Sequence, residues 1–441
     1  MEARATIGPL GLRGWPASGN ARRLPYLVAA GVAATVAAGV VARATGHRLG
    51  APLAPFFASW QPHAAALAVP AALALGVAAA LAPRLVDRPR SPLAFAAGAL
   101  ALGLALRLAL AAARGGPERW YVVFATDPEA AHEYLPALPA LGLGLQPFLD
   151  RFAELAPSLP THPSGHPPGL LVTMHLLGID TARGLAALTI GTGALCVPLT
   201  YALGRSLLTE RPARIAALLF VFAPSALLYG ATSADALYAT LALAAAVALV
   251  ARRPLLRALG PPGLALASFF SAALLAAGAW AVIALACARR GRQALLAAAC
   301  AAVALMALYA LLYAITGFDP LGTIRSIHAA YAIGIARARP YWFWLFGSPA
   351  AFLVAMGLPL AWLALRALAA REPAAAALAA VVVAASVLGF TKAETERIWL
   401  FLVPFACVSA APVLTPRRLA PVLGALAAQA LAVELLLFTV W

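Results

Sequence analysis

The sequence predicts an all-α polytopic membrane protein, on three observations. The 441-residue chain is 63% hydrophobic with a mean hydropathy of +0.88, and only 11% of its residues are charged. A soluble protein carries about 25% charged residues. Its apolar residues fall in runs at 26–43, 62–83, 92–113, 184–203, 215–229, 235–251, 294–315, 343–365, 374–390, 398–412 and 419–440. A crossing helix needs ~20 such residues to span a ~30 Å hydrocarbon core, so the shorter runs borrow from their neighbours. The charges also alternate. Arg-bearing segments at 84–90, 205–214, 252–257, 289–292, 366–372 and 417–418, together with the N-terminal stretch, hold nearly all of the +16 net charge, and the other set of loops holds most of the carboxylates. Basic loops stay in the cytoplasm. Charge spread over short loops also excludes nucleic acid as a partner, because a nucleic-acid footprint gathers on one face or tail.

The elements follow in order. Residues 1–25 read as a basic cytoplasmic tail with no small-residue cleavage site after it. Region 26–91 supplies two N-terminal spans, followed by a module over 92–290 with a large outer loop at 114–183. Within that loop, 169–179 makes only ~16 Å of helix. If it crossed, the Arg205–Arg214 loop would fall outside, so it reads as a juxtamembrane helix on the outer face. Segment 263–287 could cross once, yet Arg252, Arg253 and Arg257 precede it and Arg289, Arg290 and Arg292 follow it. Both clusters stay inside only if the segment enters and returns. Gly260-Pro261-Pro262-Gly263, Ser268, Ser271 and Gly278 fit such a re-entrant hairpin, with a plain span and one misplaced basic loop as the alternative. Region 291–441 holds the C-terminal spans, with outer loops at 316–342 and 391–397. The former ends in Tyr341-Trp342-Phe343-Trp344, which suits the membrane interface. Smaller outer loops lie at 44–61 and 229–234. The expectation is eleven crossings plus one re-entrant hairpin, N-terminus in and C-terminus out. Cys196, Cys287, Cys300 and Cys407 lie in apolar runs without metal or disulfide spacing, and read as small buried residues.

Three outer clusters could carry chemistry. In the first, Asp127, Glu129, His132 and Glu133 follow closely on a span. A carboxylate partly shielded from water there gains basicity and suits a general base; the alternative is a solvated acidic turn. The second is Thr161-His162-Pro163-Ser164-Gly165-His166-Pro167-Pro168-Gly169. The His spacing matches a helical zinc pair, but the prolines and glycine exclude a regular helix. The segment reads as a rigid extended loop presenting two imidazoles, for a divalent metal, a phosphate or sugar hydroxyl, or for loop structure alone. The third, Lys392-Ala393-Glu394-Thr395-Glu396-Arg397, holds the only lysine and an arginine that opens a span. Arg397 could clamp a phosphate or simply pair with Glu394 or Glu396. Asp235, just after Ser233, starts another span, where a capping carboxylate would be ordinary. Arg107 lies inside an apolar run within reach of the interface.

The order of these motifs resembles the GT-C polytopic glycosyltransferases. It comprises a carboxylate cluster in the first large outer loop, His-Pro-Pro before a short juxtamembrane helix, and Ser-x-Asp at a span end. The class includes protein O-mannosyltransferases, aminoarabinose transferases and cell-envelope arabinosyl and mannosyl transferases. The hairpin at 263–287 and the outer C-terminus match as well, and the likeness covers roughly 92–415. It implies an inverting enzyme in a bacterial plasma membrane that takes a sugar from a polyprenyl-phosphate donor to an extracytoplasmic glycan, lipid or protein. Asp127 or Glu133, with Glu129 beside them, would be catalytic. His162, His166, Asp235, Lys392, Glu394 and Arg397 would bind the donor phosphate and substrate, and a divalent metal is the one cofactor to consider. The chain departs from the class in its two preceding spans, in Pro128 separating Asp127 from Glu129, and in lacking a large soluble C-terminal domain. A transporter or lipid flippase, or a non-catalytic subunit of an envelope-assembly complex, is the rival expectation.

Overall fold

The computed structural model describes residues 23–87, 91–126, 128–389 and 391–441. It is mostly helical; the one sheet among the described residues is a two-residue ladder in which Ser59–Trp60 pairs antiparallel with Leu437–Phe438. Local chemistry sets the helix starts. Ser91 accepts from the Ala94 amide at 3.2 Å, Thr181 from the Gly184 amide at 3.1 Å and Glu372 from the Ala375 amide at 2.8 Å. Each satisfies one of the donors a helix N-terminus leaves open.

Among the described residues, seven helices are long and apolar enough to cross a membrane: Leu24–Ala44, Ala68–Asp87, Pro92–Gly115, Ala182–Leu207, Gly291–Thr316, Thr395–Val413 and Pro416–Leu436. The expected eleven crossings exceed this count. The runs at 235–251 and 374–390 form the shorter helices Asp235–Leu249 and Pro373–Leu388. Helices of that size cover only ~22–24 Å of the core. Leu24–Ala44 and Gly291–Thr316 bury little of their surface, whereas Thr395–Val413 is buried along most of its length. Apolar side chains such as Leu295, Val303, Met306 and Ile315 stand exposed on Gly291–Thr316, as a lipid-facing surface requires.

The run at 343–365 is not one span. It forms Tyr341–Ala355 and Leu358–Ala369, bent by 111°. Gly357 sits at the corner with φ 106°, and Pro359 follows. Gln429, from the last helix, spans the break. Its Oε1 accepts from the Leu358 amide at 2.8 Å and its Nε2 donates to the Val354 carbonyl at 2.7 Å. Backbone groups freed by a break in an apolar bundle need such a partner. Gln429→Leu should therefore destabilise the fold by about 1 kcal/mol, the net worth of a hydrogen bond, because the Leu358 amide loses its partner while the Val354 carbonyl still accepts from the Gly357 amide at 3.0 Å. Thermal unfolding in detergent checks this, and an unchanged Tm would contradict it.

Segment 263–287 forms two arms, Gly260–Phe270 and Leu275–Cys287, separated by extended backbone at Ser271 (φ −158°, ψ 128°) and the turn Ala272–Leu274. Gly278 lies directly against the Leu264 side chain. These positions are equidistant from Ser271, so the arms fold back on each other. The short helix Gly169–Leu177 docks on this hairpin. A Cβ at Gly169 would meet the Phe269 carbonyl oxygen at 2.6 Å, so only glycine permits the approach. The loop 114–183 is itself a folded layer of short helices whose Phe124, Tyr134, Phe148, Phe152, Leu170 and Met174 are buried.

Candidate active site at the loop-bearing end

Glu129 and Glu133 lie on and just beyond the single turn Pro128–His132, and His162 lies on another, Thr161–Ser164. The segment around His162 is thus one helical turn and not the extended loop expected. Pro163 is tolerated there because the first turn of a helix has no use for its missing N–H. The hydrogen bond between His132 Nδ1 and Thr161 Oγ1, 2.9 Å long, ties the two turns together. His162 Nε2 then lies 2.5 Å from Glu129 Oε1 and 3.9 Å from Glu133 Oε1. One ligand-capable atom from each of these three side chains lies within 4.8 Å of the others, so they could hold a metal ion. His166 does not join them. Its ring packs on Tyr238, with centroids 5.3 Å apart, and Tyr238 shares a 2.5 Å hydroxyl contact with Tyr134.

The electrostatics separate the two imidazoles. Burial disfavours the His162 cation, but Glu133 and the bond to Glu129 outweigh it and raise its pKa above the ordinary value. Burial pushes His166 down to about 4, so it is neutral near pH 7 and supplies no countercharge to a phosphate. Burial pushes the Glu133 carboxyl up to about 7, against the pull of His162 and Arg397. Glu133 is 1% exposed, and its Oε2 has no hydrogen-bond partner among the described residues.

The second half of the site is an ion-pair chain. Asp235 does open its helix, but its carboxylate turns to other partners: Ser233 Oγ donates to Oδ2 at 2.5 Å, and Arg397 Nη1 donates to the same oxygen. Arg397 Nη2 donates to Glu394 Oε2 at 2.9 Å, and Arg339 Nη2 donates to Glu394 Oε1 at 2.5 Å. Burial works against an ionised Glu394, but Arg397 and Arg339 hold its carboxyl at about 2. The Trp441 ring caps Arg397, 4.1 Å from its guanidinium carbon. Ala393 and Glu394 take the left-handed conformation, with φ of 65° and 60°. Such residues store about 1–3 kcal/mol each and persist only where their surroundings hold them. Here Arg339 does so, adding a 2.6 Å bond from Nη1 to the Lys392 carbonyl.

Two expected binding roles change with this geometry. Arg397, 5% exposed, turns both terminal nitrogens to Asp235 and Glu394 and leaves Nε without a partner among the described residues, so its two-pronged face is taken and does not stand open for a phosphate. Lys392 turns its ammonium away, to the Ala336 carbonyl at 3.3 Å. Asp127 lies outside the described residues. Arg107, expected to reach the interface, is instead buried over the Phe220 ring, away from the cluster. Sequence reasoning missed Arg339, Tyr238 and Trp441. Nothing local distinguishes Arg339 from Arg337, and the other two resemble ordinary apolar residues of a span.

The two halves adjoin: His166 packs on Tyr238, one turn along the helix that Asp235 opens, and Tyr238 meets the hydroxyl of Tyr134, next to Glu133. The site is assembled from residues 129–133, 162–166, 233–238, 339, 394–397 and 441, at the end of the bundle that carries the long loops. Comparison with protein-family models, with curated proteins and with solved structures gave no match.

Proposed function

We propose that this chain is a GT-C-like membrane glycosyltransferase that moves a sugar, with inversion, from a polyprenyl-phosphate donor to an acceptor outside the cytoplasm of a bacterium. The observation that carries this reading is the buried acid–base and ion-pair cluster. Ionisable residues packed into a membrane bundle are expensive and mark function by default. Here they combine a carboxylate of raised pKa with an imidazole whose pKa is raised by the carboxylates beside it. Glu133 or Asp127 removes the proton of the acceptor hydroxyl. The acceptor oxygen attacks the anomeric carbon as the sugar–phosphate bond breaks, and the electron pair leaves on the polyprenyl phosphate. His162 supplies positive charge to that phosphate. Asp235, Glu394, Arg339 and Arg397 act as positioning residues that fix the floor of the site. An open apolar groove of about 490 Å³, lined by Leu104, Leu108, Trp120 and Ile190, offers room for a lipid tail. It lies between Pro92–Gly115 and Ala182–Leu207.

In this reading the N-terminus is cytoplasmic and the cluster faces outward. Single-cysteine labelling of intact cells should reach Ser164 and leave Gly291 protected. Labelling of Gly291 from outside would overturn the orientation. One observation favours the rival transporter or flippase: the helix broken at Gly357, of the kind that lines transporter sites. Liposomes carrying the protein and a polyprenyl-phosphate sugar labelled separately on sugar and lipid tell the two apart. A transferase parts the labels in the presence of acceptor, whereas a flippase moves both together.

A further inference from the structure

The charge balance of the cluster leads further. Glu129, Glu133, Asp235, Glu394 and Glu396 are all buried there, against Arg339, Arg397 and His162 as the cations. Both arginines are already engaged by Asp235 and Glu394. A donor phosphate would enter a site whose guanidinium charge is spent. Buried carboxylates in excess of their cations are costly unless protonated or joined by another cation.

We propose that Glu129, Glu133 and His162 form a binding site for one divalent transition-metal ion, which supplies the positive charge that a donor phosphate needs. The inference rests on the glycosyltransferase reading only for that last clause. Three side chains converge with one donor atom each, within 4.8 Å of one another. They come from two different turns, locked to each other by the His132–Thr161 bond, so the convergence does not follow from sequence proximity alone. The buried Glu133 Oε2, without a partner among the described residues, is an independent sign that something is to be bound there. Two carboxylates with one imidazole suit Mn²⁺ or Zn²⁺ better than Mg²⁺ or Ca²⁺, which favour all-oxygen sets. Three protein ligands leave positions open for water or phosphate oxygens. The ion also reassigns two roles. An imidazole that ligates a metal is neutral, so the ion replaces His162 as the source of positive charge toward the phosphate. A carboxylate that ligates a metal is a poor base, so Glu133 becomes a ligand and Asp127 is left to take the acceptor's proton.

The test uses the full chain in detergent, stripped with EDTA and titrated with Mn²⁺ while electron paramagnetic resonance follows the free ion. One saturable site per chain, emptied by Zn²⁺, is expected. Glu133→Gln and His162→Gln should each weaken it at least ~10-fold, the smaller end of what even outer-shell changes around a metal cost. Asp127→Asn should leave Mn²⁺ binding intact. Absence of saturable Mn²⁺ or Zn²⁺ binding to the wild-type chain, or binding indifferent to both ligand variants, would overturn the site. Addition of a short-chain polyprenyl phosphate should tighten Mn²⁺ binding. An ion site that ignores the lipid phosphate would stand as a metal site and overturn its role toward the donor, separately from any failure of sugar transfer.

Discussion

Glu133→Gln should lose at least ~10²-fold in sugar transfer while the protein keeps its fold. The amide preserves shape and volume in a site that is 1% exposed, and it introduces no charge. It removes the carboxylate's charge, and with it the metal ligand, or in an ion-free site the base, that Glu133 provides. General base catalysis contributes typically 10²–10⁴-fold. Three other described carboxylates of the cluster are engaged by charged or imidazole partners: Glu129 is bonded to His162, and Asp235 and Glu394 are bonded to arginines. Steady-state turnover with a saturating donor, alongside a thermal melt, measures the two halves of the statement. A variant of wild-type turnover would reduce the acidic cluster to a structural turn.

Arg397→Met should be the most destabilising single change at this site, at about 3–5 kcal/mol. Removing one member of a buried ion pair costs that much because the remaining charge is left uncompensated. Here Asp235 would lose the arginine it is paired with, Glu394 would keep only Arg339, and the Trp441 ring would lose the cation it covers. Arg397→Lys keeps the charge but cannot bridge both partners with a planar fork, so it should fall between wild type and Arg397→Met. Adding Asp235→Asn to Arg397→Met should recover part of the loss by removing one stranded charge. Thermal unfolding in detergent tests the series. An Arg397→Met protein with the wild-type Tm would mean that the pair is not desolvated as the structure places it.

The apolar runs foretold most of the long helices because hydropathy acts locally and the bilayer demands length. The hairpin was legible for a similar reason. Gly260, Pro261, Pro262, Ser271 and Gly278 are local breakers, and the arginines on both sides required the chain to return. The break at Gly357 was not legible, because the run around it is uniformly apolar and its partner, Gln429, lies in another helix. The candidate site was legible as a set of residue types. His162, Glu129, Glu133, Asp235, Glu394 and Arg397 stand out because charge is rare in this chain, and the fold brings them together. Their pairing was not legible. The turn at 391–397 looked like a short outer connection, but Phe57 donates to Glu396 Oε1 at 2.6 Å and Trp441 covers Arg397. These contacts join segments at opposite ends of the chain, and no local pattern encodes them.

The most direct measurement of the central claim is single-turnover chemistry on the purified chain. Polyprenyl-phosphate mannose or arabinose, labelled on the sugar, would be mixed with an extracted envelope acceptor fraction and followed by release of free polyprenyl phosphate. The account predicts release with the wild-type chain, accompanied by label on the acceptor, and release reduced at least ~10²-fold with Asp127→Asn or Glu133→Gln. Equal release by the wild-type chain and by both variants, or movement of intact donor across the membrane without any release, would contradict it.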